Sequence, residues 1–151
     1  MPTPFRLQSV LDYRHNRVEA LEIELSQLLN LREQQIAHLE DLKRTKNALL
    51  HDLYQAQEGE LDMIRLTQVQ ATLRQLENRV RQQQRVLLKL ESIVAKKKSE
   101  VTEAKQDEEV LQTLKDKNEA RIRAEVNLRE NRLQDDIYIA QAHRHTSQIE
   151  M

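Results

Sequence analysis

An unbroken heptad pattern runs through residues 7–56 and constrains the fold more than any other feature of the sequence. Two columns of positions, alternately three and four residues apart, are mostly Leu or Val, and charged residues surround them. Such sustained heptads predict a coiled-coil helix, because one apolar stripe can then face a partner helix along its whole length. The first column is Leu11, Val18, Leu25, Arg32, Leu39, Lys46 and Leu53, and the second is Leu7, Arg14, Leu21, Leu28, Gln35, Leu42, Leu49 and Ala56.

The remainder of the chain supplies a second heptad helix. Gly59, the single glycine, stands among polar residues and predicts a turn within residues 57–65, since helices commonly end at glycine. The heptads then return, until beyond Leu111 the apolar spacing becomes irregular and predicts a straighter helix. The two columns after the turn are Leu66, Leu73, Val80, Leu87, Val94 and Val101, and Val69, Leu76, Gln83, Leu90, Lys97 and Ala104.

Together the two arms predict an all-α fold, a long antiparallel two-helix coiled-coil hairpin with a C-terminal helical overhang. A single domain is expected over residues 1–151, with the first arm at about 4–56 and the second at about 66–145. When free, the protein is expected to be a monomer, because each arm covers the apolar stripe of the other.

Folding the arms onto each other sets Arg14 opposite Glu108, and this pair of opposite charges is expected to specify the register. The second arm is the longer one, so an overhang of roughly residues 118–145 should find no partner within the chain. Exposed apolar residues on an unpaired helix indicate a surface for another protein. The candidates for that contact are Ile122, Val126, Leu133, Ile137 and Ala140.

Catalysis, cofactor binding and metal binding have no supporting pattern in these 151 residues. There is no cysteine, and one glycine cannot build a phosphate-binding loop. The five histidines lack the i, i+4 spacing of a helical metal pair. Adjacent carboxylates at 108–109 and 135–136 diverge by about 100° on a helix. We therefore expect no catalytic residue, no cofactor and no metal.

A basic stretch at residues 74–98 is the remaining candidate surface, and its cations include Arg81, Arg85 and Lys89. A solvated coiled-coil face and a contact with an acidic protein both explain it. Nucleic acid is disfavoured, because no aromatic residue lies between Arg74 and Lys98 to stack on bases. The net charge of −1 favours neither nucleic acid nor an anionic membrane.

Sequence features that carry a family resemblance are spread over most of the chain, and those at the opening and in the overhang are the most specific. They are Phe5-Arg6-Leu7-Gln8-Ser9-Val10-Leu11 with Arg14; Leu61, Leu66, Leu73 and Leu76 before Gln82-Gln83-Gln84; Ala104-Lys105, Leu111 and Leu114-Lys115; and Glu130-Asn131-Arg132 with Asp135-Asp136-Ile137. With these features the chain resembles the flagellar export protein J family, whose members are similar to the central stalk of rotary ATPases.

This resemblance implies a stalk component of flagellar type III protein export with no catalysis of its own. The expected partners are the hexameric export ATPase, the cytoplasmic domain of the export gate and export chaperones. The overhang would contact the ATPase ring, and Arg81, Arg85 and Lys89 would contact the gate or a chaperone. No apolar run approaches the roughly 20 residues of a membrane span, which predicts a cytoplasmic location. The resemblance implies peripheral association with the inner membrane through the export apparatus. The alternatives are an injectisome stalk protein and a generic coiled-coil scaffold without ATPase coupling.

Overall fold

The computed structural model describes residues 5–57 and 63–149 of the chain. Two helices account for nearly all of them, α1 (Gln8–Gln57) and α2 (Met63–Ile149). They pack against each other, and the described residues contain no strand. Neither helix contains Gly or Pro, so nothing in the sequence interrupts the main-chain hydrogen bonding. The predicted helical hairpin is confirmed.

The start of α1 lies slightly further along the chain than the heptads predict. A turn precedes the helix, in which the Gln8 N–H donates to the Phe5 carbonyl at 3.0 Å. The Gln8 side chain then donates to Asp12 Oδ1 at 2.9 Å, one helical turn ahead. At the other end, α1 stops at Gln57. The predicted turn is centred on Gly59, which lies outside the described residues.

The chain forms two compact units, which we name by position. The central unit holds the described residues between 17 and 103, and the terminal unit holds residues 5–16 and 104–149. In the central unit, side chains at positions 24, 35 and 46 of α1 contact positions 97, 83 and 77 of α2, respectively. The partner number falls as the α1 number rises, so these parts of the helices run antiparallel.

The core of the central unit coincides with the predicted columns. Its buried side chains all occupy heptad core positions, and most other column residues of the unit are half-buried. Burying an aliphatic side chain contributes about 1.5–3 kcal/mol, so the stripe drives the pairing. Within the described residues, the Arg32 Nε atom is buried without a hydrogen-bond partner. The buried residues are Val18, Leu21, Leu76, Val80, Gln83, Leu90, Val94 and Val101.

In the terminal unit the shielded face of α2 extends beyond residue 118, where the sequence predicts that the overhang begins. Leu11 and Ala104 are buried there. After Ala104 the heptad spacing continues without the irregularity predicted beyond Leu111. Two of its positions, Lys115 and Asn118, are polar and were not among the predicted core residues. Pairing therefore shields α2 as far as Ile122. The half-buried positions are Glu108, Leu111, Lys115, Asn118 and Ile122.

Candidate partner-binding surfaces

The end of α2 presents apolar side chains to water. Every residue from 123 to 147 is exposed. Val126, Leu133 and Ile137 are 44%, 61% and 50% exposed, Ala140 is exposed, and Ile122 is half-buried at the edge of the paired region. The spacings between neighbouring members of this set are four, seven, four and three residues. At about 100° per residue, the five lie within a stripe about 60° wide, which we call the overhang row.

Further apolar residues of the overhang lie away from this row. Leu128 and Ile139 are exposed and are eleven residues apart, so they share a side of the helix. Tyr138, also exposed, lies between that side and the overhang row. These three residues fall outside the spacing of the overhang row. Exposure of several large apolar residues on one unpaired helix segment is typical of a contact surface for another protein.

The predicted basic surface is accessible in the central unit. Arg81, Arg85 and Lys89 are exposed and follow one another at four-residue spacing, so they lie along neighbouring parts of one helix side. Arg81 Nη2 lies 4.0 Å from Glu77 Oε2, at the limit of an ion pair. We call these three residues the basic face.

Lys97 belongs to the same basic stretch, but its charge is used within the fold. Its Nζ donates to Glu24 Oε2 at 2.8 Å and to Glu100 Oε2 at 3.0 Å. The hydrogen bonds to Glu24 and then Glu100 raise the pKa of Lys97 above its ordinary value of 10.5. In turn, the hydrogen bond from Lys97 lowers the pKa of Glu100 below 4.5. The lysine at a core position thus reaches outward to two carboxylates.

The predicted pairing of Arg14 with Glu108 takes a different form. Arg14 Nη1 lies 3.3 Å from Asp107 Oδ2, and Glu108 Oε1 lies 2.6 Å from His15 Nδ1. The Arg14 and Asp107 side chains are 42% and 56% exposed. All four residues belong to the terminal unit. The two predicted residues are therefore close in the fold, but each has a neighbour of the other as its partner.

Two findings bear on chemistry and membranes. Among the described residues, no cluster of three or more His, Cys, Asp or Glu side chains is arranged to hold a metal ion. Across those same residues, neither helix has an apolar stretch of the length needed to cross a bilayer.

The sequence model of the family described as Flagellar FliJ protein matches residues 3–147 of the chain, which is nearly its whole length. The chain belongs to the flagellar FliJ protein family. It is therefore a component of flagellar type III export, associated with the export apparatus, and its family is non-catalytic. The resemblance seen in the opening and in the second arm is confirmed. Comparisons with curated proteins and with solved structures return no significant match.

Proposed function

We propose that this chain is a stalk that binds the hexameric export ATPase through its overhang row and couples the ring to the export gate and to substrate chaperones. The observation that carries the proposal is the overhang row itself. It places Val126, Leu133 and Ile137 in water on a helix segment whose residues are all exposed. Covering such side chains with a partner contributes about 25 cal/mol per Å² of apolar surface.

The composition of the overhang row suits a contact inside a ring. Its members are aliphatic and offer no fixed hydrogen-bond geometry. A contact made by burial of apolar surface is non-directional, so it tolerates several orientations of the stalk relative to the subunits around it. A ring that turns over ATP subunit by subunit requires such tolerance. The location we propose is cytoplasmic, with peripheral association with the inner membrane through the export apparatus.

The basic face is our proposal for the second contact, with the cytoplasmic domain of the gate or with a chaperone. Arg81, Arg85 and Lys89 are exposed, and long-range attraction by such cations raises the association rate with an acidic surface. The basic face lies in the central unit and the overhang row in the terminal unit. One chain can therefore present two chemically different surfaces to two partners.

The test of the ring contact is the double substitution Leu133→Ser with Ile137→Ser in the full chain. We expect circular dichroism to show an unchanged helix content, because both residues are exposed. Co-sedimentation with the ATPase, stimulation of ATP turnover and flagellar protein export should all decrease. The matched control is Leu128→Ser with Ile139→Ser, which removes one exposed leucine and one exposed isoleucine from a different side of the same segment.

The rival functions give different outcomes. A generic scaffold would leave ATPase hexamer formation and turnover unchanged when the wild-type chain is added. An injectisome stalk protein would restore secretion in an injectisome strain but not motility in a flagellar one. If the row variant and the control variant lose ATPase binding equally, the overhang row is not the contact.

A further inference from the structure

A second apolar surface lies in the central unit, beside Lys89 of the basic face. Leu31 of α1 and Val86 and Ile93 of α2 are 41%, 45% and 50% exposed. Each lies next to the buried columns at the position that precedes a core residue, Arg32, Leu87 or Val94. We call these three residues the apolar seam.

Contacts on both sides of Leu31 place it on the same side of the helix pair as Val86 and Ile93. Seven residues before it, Glu24 contacts Lys97, which also bonds to Glu100, seven residues beyond Ile93. Seven residues after it, His38 lines a groove of about 360 Å³ together with Arg79 and Val86. Residues seven apart share a helix side, so Leu31 lies between these two contacts, at the level of Val86 and Ile93.

Cations border the apolar seam on the α2 side. Arg79 lines the groove beside Val86. Lys89 and Lys96 follow Val86 and Ile93 by three residues each, which is one helical turn, and both are exposed. On the α1 side the corresponding border positions hold Gln27 and Gln34.

The carboxylates nearest to the apolar seam already accept hydrogen bonds within the fold. Glu24 and Glu100 both accept hydrogen bonds from Lys97. Asp41, the next border position of α1 after Gln34, is paired with Arg44 Nη1 at 3.5 Å. No acidic residue occupies a border position between residues 79 and 96 of α2 on this side. The apolar seam is thus a strip of aliphatic side chains in a positive and neutral frame.

We infer that the apolar seam is the docking groove for an amphipathic α-helix of a partner protein, with apolar residues at heptad spacing flanked by Asp or Glu. Leu31, Val86 and Ile93 supply the apolar contact, and Arg79, Lys89 and Lys96 pair with the carboxylates. A helix laid along the groove adds a third strand to the coiled coil, and helix-in-groove binding uses the same i, i+3, i+4 and i+7 spacing.

Charge complementarity decides between possible occupants. A second copy of this chain docking through the same seam would bring Arg79, Lys89 and Lys96 against their own counterparts, and like charges across an interface oppose association. A nucleic acid would find no aromatic side chain on the seam for stacking. An acidic-flanked helix satisfies both the apolar strip and its basic border. This inference does not depend on the export role.

The test uses the full chain and two designed 21-residue helical peptides with identical apolar stripes. One peptide has Glu and the other Lys at the positions flanking the stripe. We expect fluorescence anisotropy to show binding of the Glu peptide at least about tenfold tighter than the Lys peptide. Raising the salt concentration from 0.05 M to 0.5 M should weaken binding of the Glu peptide, because the seam cations are exposed.

Variants locate the site. Arg79→Glu with Lys96→Glu should weaken binding of the Glu peptide by about tenfold or more and improve binding of the Lys peptide. The matched control, Arg123→Glu with Arg129→Glu, reverses two charges of the terminal unit and should leave both affinities unchanged. Leu31→Ser should also weaken the Glu peptide, while Leu88→Ser, at an exposed leucine on another side of α2, should not.

Four outcomes would overturn the inference. The first is equal binding of the two peptides, and the second is equal effects of the seam and control variants. The third is sedimentation of the wild-type chain as a dimer that Leu31→Ser converts to a monomer, which would identify the seam as a self-interface. Tighter binding of a single-stranded oligonucleotide than of the Glu peptide would likewise exclude a protein helix as the occupant.

Discussion

Gln83 and Gln35 form a polar layer inside the coiled coil of the central unit. Gln83 Nε2 donates to the main-chain carbonyl of Gln35 at 3.0 Å and to its side-chain Oε1 at 2.7 Å. Gln83 is the buried polar residue of the described core. A polar pair at such a position lowers stability relative to an apolar pair but penalises every shifted alignment, because a shift separates the two amides.

The first prediction concerns this polar layer. Gln83→Ala should lower the free energy of unfolding by about 1–2 kcal/mol, because it removes two hydrogen bonds and leaves the Gln35 amide without its partner. Gln35→Leu combined with Gln83→Leu should be at least as stable as wild type, since both polar groups are then replaced by apolar ones. Urea unfolding followed by circular dichroism measures both. A double variant less stable than Gln83→Ala would show that the layer stabilises the fold rather than its register.

The second prediction concerns Arg14. Its ion pair with Asp107 spans 3.3 Å, and both side chains are largely in water. Exposed ion pairs contribute about 0–1 kcal/mol, so Arg14→Ala should lower the free energy of unfolding by less than about 1 kcal/mol. Asp107→Asn serves as the control for loss of the same pair. A loss above about 3 kcal/mol in thermal or urea unfolding would instead indicate the buried register charge that the sequence predicted.

The third prediction concerns the pH dependence of the Lys97 cluster. The hydrogen bond from Lys97 lowers the pKa of Glu100 below its ordinary value of 4.5. A carboxyl group whose pKa is lower in the folded than in the unfolded protein stabilises the fold at pH values above its unfolded pKa. This stabilisation is lost as the pH falls through its folded pKa. The Tm difference between wild type and Glu100→Gln should therefore be constant from about pH 6 to 9 and shrink below about pH 4.5.

On the alkaline side the sign is the opposite, because the two glutamates raise the pKa of Lys97 above 10.5. A lysine whose pKa is higher in the folded than in the unfolded protein contributes its full stabilisation at pH values below its unfolded pKa. This contribution disappears as the pH rises through its folded pKa. The Tm difference between wild type and Lys97→Gln should accordingly begin to shrink only above about pH 10.5. A difference that instead shrinks between pH 6 and 9 would contradict the cluster.

Much of this fold follows from heptad spacing. The columns through Val18, Leu21, Val80 and Val94 are buried where the sequence predicts. In contrast, Lys115 and Asn118 lie on the shielded face but were not predicted there, because both are polar and the predicted columns rested on apolar residues. Extending the three-and-four spacing past Ala104 would have selected both.

The candidate surfaces divide in the same way. The overhang row is a property of helix geometry and could be derived from residue spacing alone. The apolar seam could not be derived from residue spacing alone. It needs residues of α1 and α2 at the same height along the helix pair, and that height depends on how the two helices align. The contacts of Glu24 with Lys97 and of His38 with the Arg79 groove define it.

The sequence by itself determined the two helices, their antiparallel pairing and the apolar stripe between them, because heptad spacing acts through the fixed geometry of the α-helix. Only the tertiary structure decided which charges meet. Arg14 contacts Asp107 and Glu108 contacts His15, although Arg14 and Glu108 hold facing core positions. Arg and Glu side chains are long and flexible, so each reaches several residues on the opposite helix, and small differences in helix alignment select among those partners.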